Sequence, residues 1–475
     1  MSVGDHRAPI PTMQLDKFVV SMASPIREAL KLIEANHYGI IFVLDAQGAV
    51  FAMATDGDIR RHLMVGGSLS DAIVQCANAD FVWERPSTPR EILLKTLNNR
   101  IRAIPLLDDA RRLVGLVSRD HMPVQAEGAV YARARAPVRI SFGGGGSDLT
   151  HYFSSNDGGA VINTTISLYS HATLRIRDDE QIIIRSLDLG ETLRAENLSA
   201  ALTENAKFGL IQALLRAINP DFGFELYLHS DFPMRSGLGG SAVVSASLLG
   251  CFNQFRRDQW DLHEVAEIAY QAERHHLDVA GGWQDQYATV FGGFNFMEFR
   301  MEQNIVHPLR VHPDTLLELE ECLVLCDTGT AHDSGDIHQD QRQQMASADI
   351  REIMETSVKL SYEMRNDLLR GRLIQFGQSL DKAWEFKRQF SDKISSVRFD
   401  NIYAEAKSQG AIGGKLLGAG GGGFFLFYVP PYSKHQLIAH LESSGLKIQP
   451  FRFEPQGLQA WTVRERRNEI EGDIV

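Results

Sequence analysis

The stretch FGFELYLHSDFPMRSGLGGSAVVSASLLG sets tight limits on how its part of the chain can fold. It reads as a strand, then a glycine-rich turn that opens directly into a helix of small and apolar residues. Glycine reaches backbone conformations that other residues avoid, and the first turn of any helix leaves N–H groups without intrahelical partners. Those donors and the positive end of the helix dipole converge on one point, which suits an anion, above all phosphate. The candidate cradle is Gly237, Leu238, Gly239, Gly240, Ser241 and Ala242.

Two familiar nucleotide loops do not fit. Gly237, Gly239 and Ala242 match the dinucleotide fingerprint in form, but DFPMRS separates the preceding strand from the first glycine. That fingerprint follows its strand directly and needs a second strand ending in an acid, which is missing here. A Walker loop requires Lys then Ser or Thr, whereas Gly240 precedes Ser241 and Lys415 in GGKLLG precedes Leu416. A plain turn before a buried helix accounts for the apolar run. It does not account for so many flexible residues, each costing backbone entropy.

A chain of 475 residues predicts two or three domains. With 48 Lys+Arg against 60 Asp+Glu, the net charge of −12 argues against nucleic acid or anionic membrane as the main partner. No apolar run approaches the ~18 residues of a membrane span. The opening MSVGDHRAPIPT lacks the apolar core of a signal peptide. Cys76, Cys251, Cys322 and Cys326 have no metal-finger spacing and read as reduced core residues. The expected setting is cytoplasmic.

The first part of the chain repeats itself. SPIREALKLIEANHYGIIFVLDAQGAVFAMATDGDI and STPREILLKTLNNRIRAIPLLDDARRLVGLVSRDHM align as helix (26–36 and 89–98), strand, Asp-containing turn, strand, helix. Two copies suggest a paired module, because a solenoid needs three or more. Over roughly residues 12–126 the pair resembles tandem CBS domains. That resemblance implies an adenine nucleotide effector, its ribose held by Thr55 and Asp58 in ATDGDIRR, and association into a homodimer or larger assembly. The second copy carries Ser118 but His121 where Asp is expected. Thr55 also suits a helix cap, so nucleotide sensing and plain scaffolding are both open. Residues 127–134 read as a linker, 135–463 as a second domain and 464–475 as a charged tail.

The motif Pro233-x-x-x-Gly237-Leu238-Gly239-Gly240-Ser241-Ala242 resembles the phosphate-binding motif of the GHMP kinases, with Gly240 in place of that family's first serine. Downstream, Asp261 and Glu264 have capping-box spacing. The helix they open puts Leu262, Ala266, Ala269 and Glu273 on one face. A carboxylate there is costly unless a cation or hydrogen bonds hold it. His275 and His276 lack a metal-binding pattern. RAPVRISFGGGGSDL and GAIGGKLLGAGGGGFFLFYVP correspond to the family's first and last glycine motifs.

The resemblance implies an α+β, two-lobed kinase fold preceded by the α/β CBS pair, with ATP and Mg2+ as cofactors. It implies that Ser241 and Glu273 hold magnesium, that Asp285 takes the acceptor's proton, and that Arg139 neutralises charge. Gly145, Asp148, Gly420 and Gly421 would meet the acceptor. The wording of these motifs, with KRQFSDKIS, is most similar to the heptose branch of the family. The implied reaction phosphorylates C1 of D-glycero-D-manno-heptose 7-phosphate, a small sugar phosphate on the way to GDP-heptose for surface polysaccharide. His332 stands where that branch usually has Arg. Rival readings are a kinase for an unphosphorylated sugar such as fucose, and a nucleotide-sensing regulator with an inactive kinase half.

A 7-phosphate needs local cations in so acidic a protein. DKAWEFKRQFSDK offers Lys382, Lys387 and Arg388. Lys387 and Arg388 diverge by ~100° on a helix, so one of them is expected to face the pocket. A solvated helix face is the other reading.

Overall fold

The computed structural model describes residues 15–97, 101–118, 130–155, 158–203, 206–276, 281–330, 334–344 and 347–464. It divides into two compact units, one built on the chain up to Ala129 and the other on Val130–Gln254 with Gln259–Arg464.

The repeat in the first unit extends to detail. Helix Ile26–Asn36 leads to strands Ile40–Leu44 and Val50–Thr55, and helix Arg90–Thr96 leads to Ala103–Leu107 and Leu113–Ser118. Both strand pairs are antiparallel, and their registers shift at matching places, between Val43 and Leu44 and between Leu106 and Leu107. The turns match too. Asp45 Oδ1 accepts from the N–H groups of Gln47 and Ala49, and Asp108 Oδ1 from those of Ala110 and Arg112. These are short side-chain-to-backbone bonds that fold a loop tightly. Phe42 and Val50 of the first copy share a core with Leu107 and Leu116 of the second. His121 and Asn98 lie outside the described residues.

The expected linker needs correction. Its described part, residues 130–134, begins the long strand Val130–Gly143. Ala132 and Ala134 are buried while Arg133 points outward, the alternation of a half-buried strand. This strand pairs with Gln459–Arg464 on one edge and with Gly159–Ile176 on the other.

Strand Gly159–Ile176 is the spine of the second unit's larger sheet. Opposite Val130–Gly143 it carries Phe294–Phe299 along its first half and Phe224–Ser230 along its second. Helix Gly240–Asn253 packs across Val130–Gly143 and Gly159–Ile176, and it is buried almost throughout, as its apolar run requires.

A smaller antiparallel sheet runs Gly413–Leu416, Phe424–Tyr428, Leu323–Asp327, Lys447–Ile448. Helix Leu373–Lys387 lies on its first strand and reaches Val130–Gly143. The glycine run Gly418–Gly423 bridges the first two strands and meets the loop before helix Gly240–Asn253 backbone to backbone. A Cβ on Gly418 would come within 2.5 Å of Gly237 Cα, and one on Gly423 within 2.2 Å of Ser236 O. Cys251, Cys322 and Cys326 are buried free thiols and Cys76 a half-buried one. Among the described residues no helix is long and apolar enough to cross a membrane.

Candidate active site

The elements of the second unit surround a cavity of about 370 Å³. One wall is the start of helix Gly240–Asn253. Gly237 and Gly239 adopt left-handed backbone angles, φ 76° and 80°, and among the described residues no side chain caps the helix. Its first N–H groups therefore remain for an anion. Leu238 and Ala242 are buried beneath the loop and anchor it, whereas Gly237, Gly239, Gly240 and Ser241 line the cavity. Gly239 also leaves little room beside it, since a Cβ there would sit 3.2 Å from Asp285 Oδ2.

Asp285 enters from the first turn of helix Gln284–Phe291. Arg139 grips it with two hydrogen bonds, Nε to Oδ1 at 2.8 Å and Nη2 to Oδ2 at 2.9 Å. The same guanidinium donates to Gly237 O at 2.7 Å, fixing the carboxylate relative to the glycine loop. Arg139 is almost fully buried, and such a fork-shaped pair sets orientation as well as charge.

Asp148 lines the same cavity with Gly145. Its oxygens accept from the N–H groups of Gly146 and Gln284, both at 3.1 Å. Burial, together with the charge of Asp285, pushes its carboxyl above the ordinary carboxylate range despite those two bonds. Gly282 crowds it closely, for a Cβ there would fall 1.8 Å from Asp148 Oδ2.

Glu273 sits on a π-helical turn, Ala272–His276, that continues helix Leu262–Gln271. The capping box of Asp261 and Glu264 is present. Glu273 is 4% exposed; Gln286 Nε2 donates to it at 2.6 Å and Arg274 stands 3.7 Å away. Ser241 and Glu273 both line the cavity, and their oxygens suit a hard cation such as Mg2+. Among the described residues no three His, Cys, Asp or Glu side chains cluster as a ready metal cage. A cation here would take its remaining ligands from phosphate and water, as magnesium usually does.

The C-terminal residues divide. Lys387 is buried and lines the cavity, but its ammonium is engaged by Leu416 O at 2.7 Å and Gly418 O at 2.6 Å. Burial, then the charges of Lys415 and Arg139, pull its pKa well below that of a free lysine. Arg388, Gly420 and Gly421 are not part of the lining. Arg388 turns outward to Glu385 and Asp400 at 3.4 and 3.3 Å, following its ~100° divergence from Lys387. Gly420 and Gly421 lie against Ile394, so Gly418 and Ala419 form that wall instead.

Sequence reasoning missed Lys415, which is buried and lines the cavity from strand Gly413–Leu416. It also missed Ser141 and Gln284 beside Gly145, and the apolar end of the cavity at Leu210, Ile211, Leu228, Phe232 and Val244. Only Gln284 carried a local signal, as the neighbour of Asp285.

In the first unit Thr55 and Asp58 form a reciprocal capping box on helix Asp56–Met64. Thr55 Oγ1 also donates to Asp58 Oδ2 at 2.6 Å. His332 lies outside the described residues.

Residues 205–293 match the family model for the GHMP kinases N-terminal domain, residues 364–444 that for the GHMP kinases C-terminal region, and residues 73–122 that for the CBS domain. The D-glycero-alpha-D-manno-heptose 7-phosphate kinase of Campylobacter jejuni is 34% identical over 337 residues, covering 70% of this chain and 99% of that protein. The chain belongs to the GHMP kinase family. A bifunctional L-fucokinase/L-fucose-1-P guanylyltransferase of Bacteroides fragilis is 28% identical over 61% of this GHMP kinase, but only 34% of the larger protein is covered. Among solved structures, a D-glycero-D-manno-heptose 1-phosphate kinase from Bacteroides thetaiotaomicron superposes with TM-score 0.58 and 27% identity, over 70% of this chain and all of that one. A Lactococcus lactis galactokinase, at 17% identity and TM-score 0.55, shares the fold. The α+β kinase fold with an N-terminal CBS module is thus established, and with it an ATP-dependent kinase.

Proposed function

We propose that this GHMP kinase transfers the γ-phosphoryl group of ATP to the C1 hydroxyl of D-glycero-D-manno-heptose 7-phosphate. The observation that carries the reading is the placement of Asp285, gripped by Arg139, in one cavity with the open N-terminus of helix Gly240–Asn253. Phosphoryl transfer needs positioning and charge neutralisation more than covalent help. The glycine loop receives the β- and γ-phosphates. Asp285 accepts the proton of the attacking hydroxyl, and Arg139, fixed to both Asp285 and the loop, stabilises charge developing between them. Asp148, held by two backbone N–H groups, keeps its remaining lone pairs for sugar hydroxyls. Magnesium, when bound, neutralises phosphate oxygens; Ser241 and Glu273 are the residues that would hold it.

Heptose phosphate as the acceptor is supported by the names of two relatives, one a 7-phosphate kinase and the other a 1-phosphate kinase. The same reading places the enzyme in the cytoplasm, on a route to GDP-heptose for surface polysaccharide. It gives the CBS pair an adenine nucleotide effector at Thr55 and Asp58, and a role in assembling a homodimer or larger. The test is ATP turnover against heptose 7-phosphate, heptose, fucose and galactose, with magnesium varied. Turnover on heptose 7-phosphate at least tenfold more efficient than on any free sugar supports the reading. Preference for fucose would replace it, and ATP binding without turnover on any acceptor would leave a regulator.

A further inference from the structure

Lys415 is 4% exposed, lines the cavity, and makes one long hydrogen bond, 3.3 Å to Phe142 O. An ammonium has three N–H donors, so most of its capacity is unused among the described residues. No carboxylate among those residues pairs with it, and the charges that act around it, on Arg139 and Lys387, are positive. Both neighbours are committed elsewhere. Arg139 holds Asp285, and Lys387 holds the carbonyls of Leu416 and Gly418. A buried cation without a counter-charge is costly, and an anionic ligand would remove that cost.

The wall beside it is equally unfinished. Ser141 Oγ and Gln284 Oε1 are buried, have no hydrogen-bond partner among the described residues and line the same cavity. They flank Gly145, from which a Cβ would lie 3.8 Å from Ser141 Oγ and from Gln284 Nε2. Ser141 and Phe142 lie on the strand that leads into the Asp148 turn, the sugar-facing side. The nucleotide phosphates have their own cradle at helix Gly240–Asn253.

We propose that Lys415, with the Ser141 hydroxyl, binds the phosphate that the acceptor already carries, and so selects a phosphorylated sugar over a free one. This rests on the reading of the enzyme as a heptose 7-phosphate kinase. It moves the phosphate contact from Lys387 and Arg388 to a residue outside the basic helix.

The test uses full-length Lys415→Met and Lys415→Arg, with initial rates on heptose 7-phosphate and on heptose while ATP is varied. The expected result for Lys415→Met is a fall of tenfold or more in the ratio of kcat/KM for heptose 7-phosphate to that for heptose, the loss of about one charge-assisted contact. The KM for ATP should stay within about twofold, and Lys415→Arg should recover part of the ratio. Thermal unfolding measured in parallel separates misfolding from lost recognition. An unchanged ratio overturns the assignment. A rise in the KM for ATP, or an equal fall in kcat on both acceptors, also overturns it and gives the lysine to the transferred phosphoryl group. Wild-type enzyme that ignores heptose 7-phosphate but phosphorylates another sugar fails at the substrate reading, before any variant is compared, and removes both.

Discussion

Replacing Lys415 with Met should stabilise the free enzyme, and by an amount that depends on pH. Burial and the charge of Arg139 bring the Lys415 ammonium down from 10.5 to about 7. Below about 7 both the folded and the unfolded chain carry the proton, and the whole penalty of the buried charge falls on the folded state. Between about 7 and 10.5 the unfolded chain binds more protons than the folded one, so stability rises with pH across that window. At 1.36 kcal/mol per pH unit the full penalty is at most about 5 kcal/mol, and relaxation around the charge reduces it. The charged groups facing Lys415 are Arg139, already paired with Asp285, and Lys387 on the packed helix. Lys387, itself pulled below its ordinary value, gains slightly when its neighbour is neutralised. Urea unfolding of wild type and Lys415→Met near pH 6 and near pH 9 measures the difference through the midpoint of the kinase unit's transition. The variant should gain most near pH 6, with the advantage narrowing near pH 9. A variant less stable than wild type near pH 6, or an advantage independent of pH, would refute the reasoning that Lys415 is an uncompensated buried cation.

Three further outcomes are expected. Asp285→Asn should lower kcat by ~100-fold or more with little change in the KM for ATP, since general-base contributions have that size; steady-state rates at saturating magnesium check it. Glu273→Gln should raise the magnesium concentration for half-maximal rate by about tenfold at constant ATP, as expected for one lost carboxylate ligand, and a magnesium titration showing no shift would remove Glu273 from the metal site. Gly282→Ala should displace Asp148, because the added methyl would meet Oδ2 at 1.8 Å; the acceptor KM should rise by ~10-fold or more, read against an unchanged ATP affinity by calorimetry.

Features specified within a few residues were legible in the sequence. The glycine loop into helix Gly240–Asn253, the Asp261–Glu264 capping box and helix Ile26–Asn36 all depend on neighbours along the chain. The start of strand Val130–Gly143 was hidden because VYARARAP fills its inward positions with small alanines and its outward ones with arginines, which reads as a connector. Its partner Gln459–Arg464 is too remote in sequence to reveal it. Helical spacing separated Lys387 from Arg388 but carried no information on which faced inward. Lys415 was missed for the opposite reason. Nothing local marks a strand lysine as buried, and its surroundings come from the distant residues Phe142, Arg139 and Lys387.

The pairing of Val130–Gly143 with Gln459–Arg464 also bears on how the molecule is made. Arg135 Nε bonds Gln459 Oε1 across 324 residues of chain. At ~5–20 residues per second of synthesis, the earlier strand waits about 15–65 s for its partner. Throughout that interval one edge of the main sheet presents unpaired N–H and C=O groups, a template on which other nascent chains can dock. Contacts so far apart also slow refolding from denaturant, because the loop must close before the pairing stabilises it. Outward-pointing Arg133, and Arg135 next to it on the same strand, place positive charge along that edge while it stands open, so two such edges repel before they can pair.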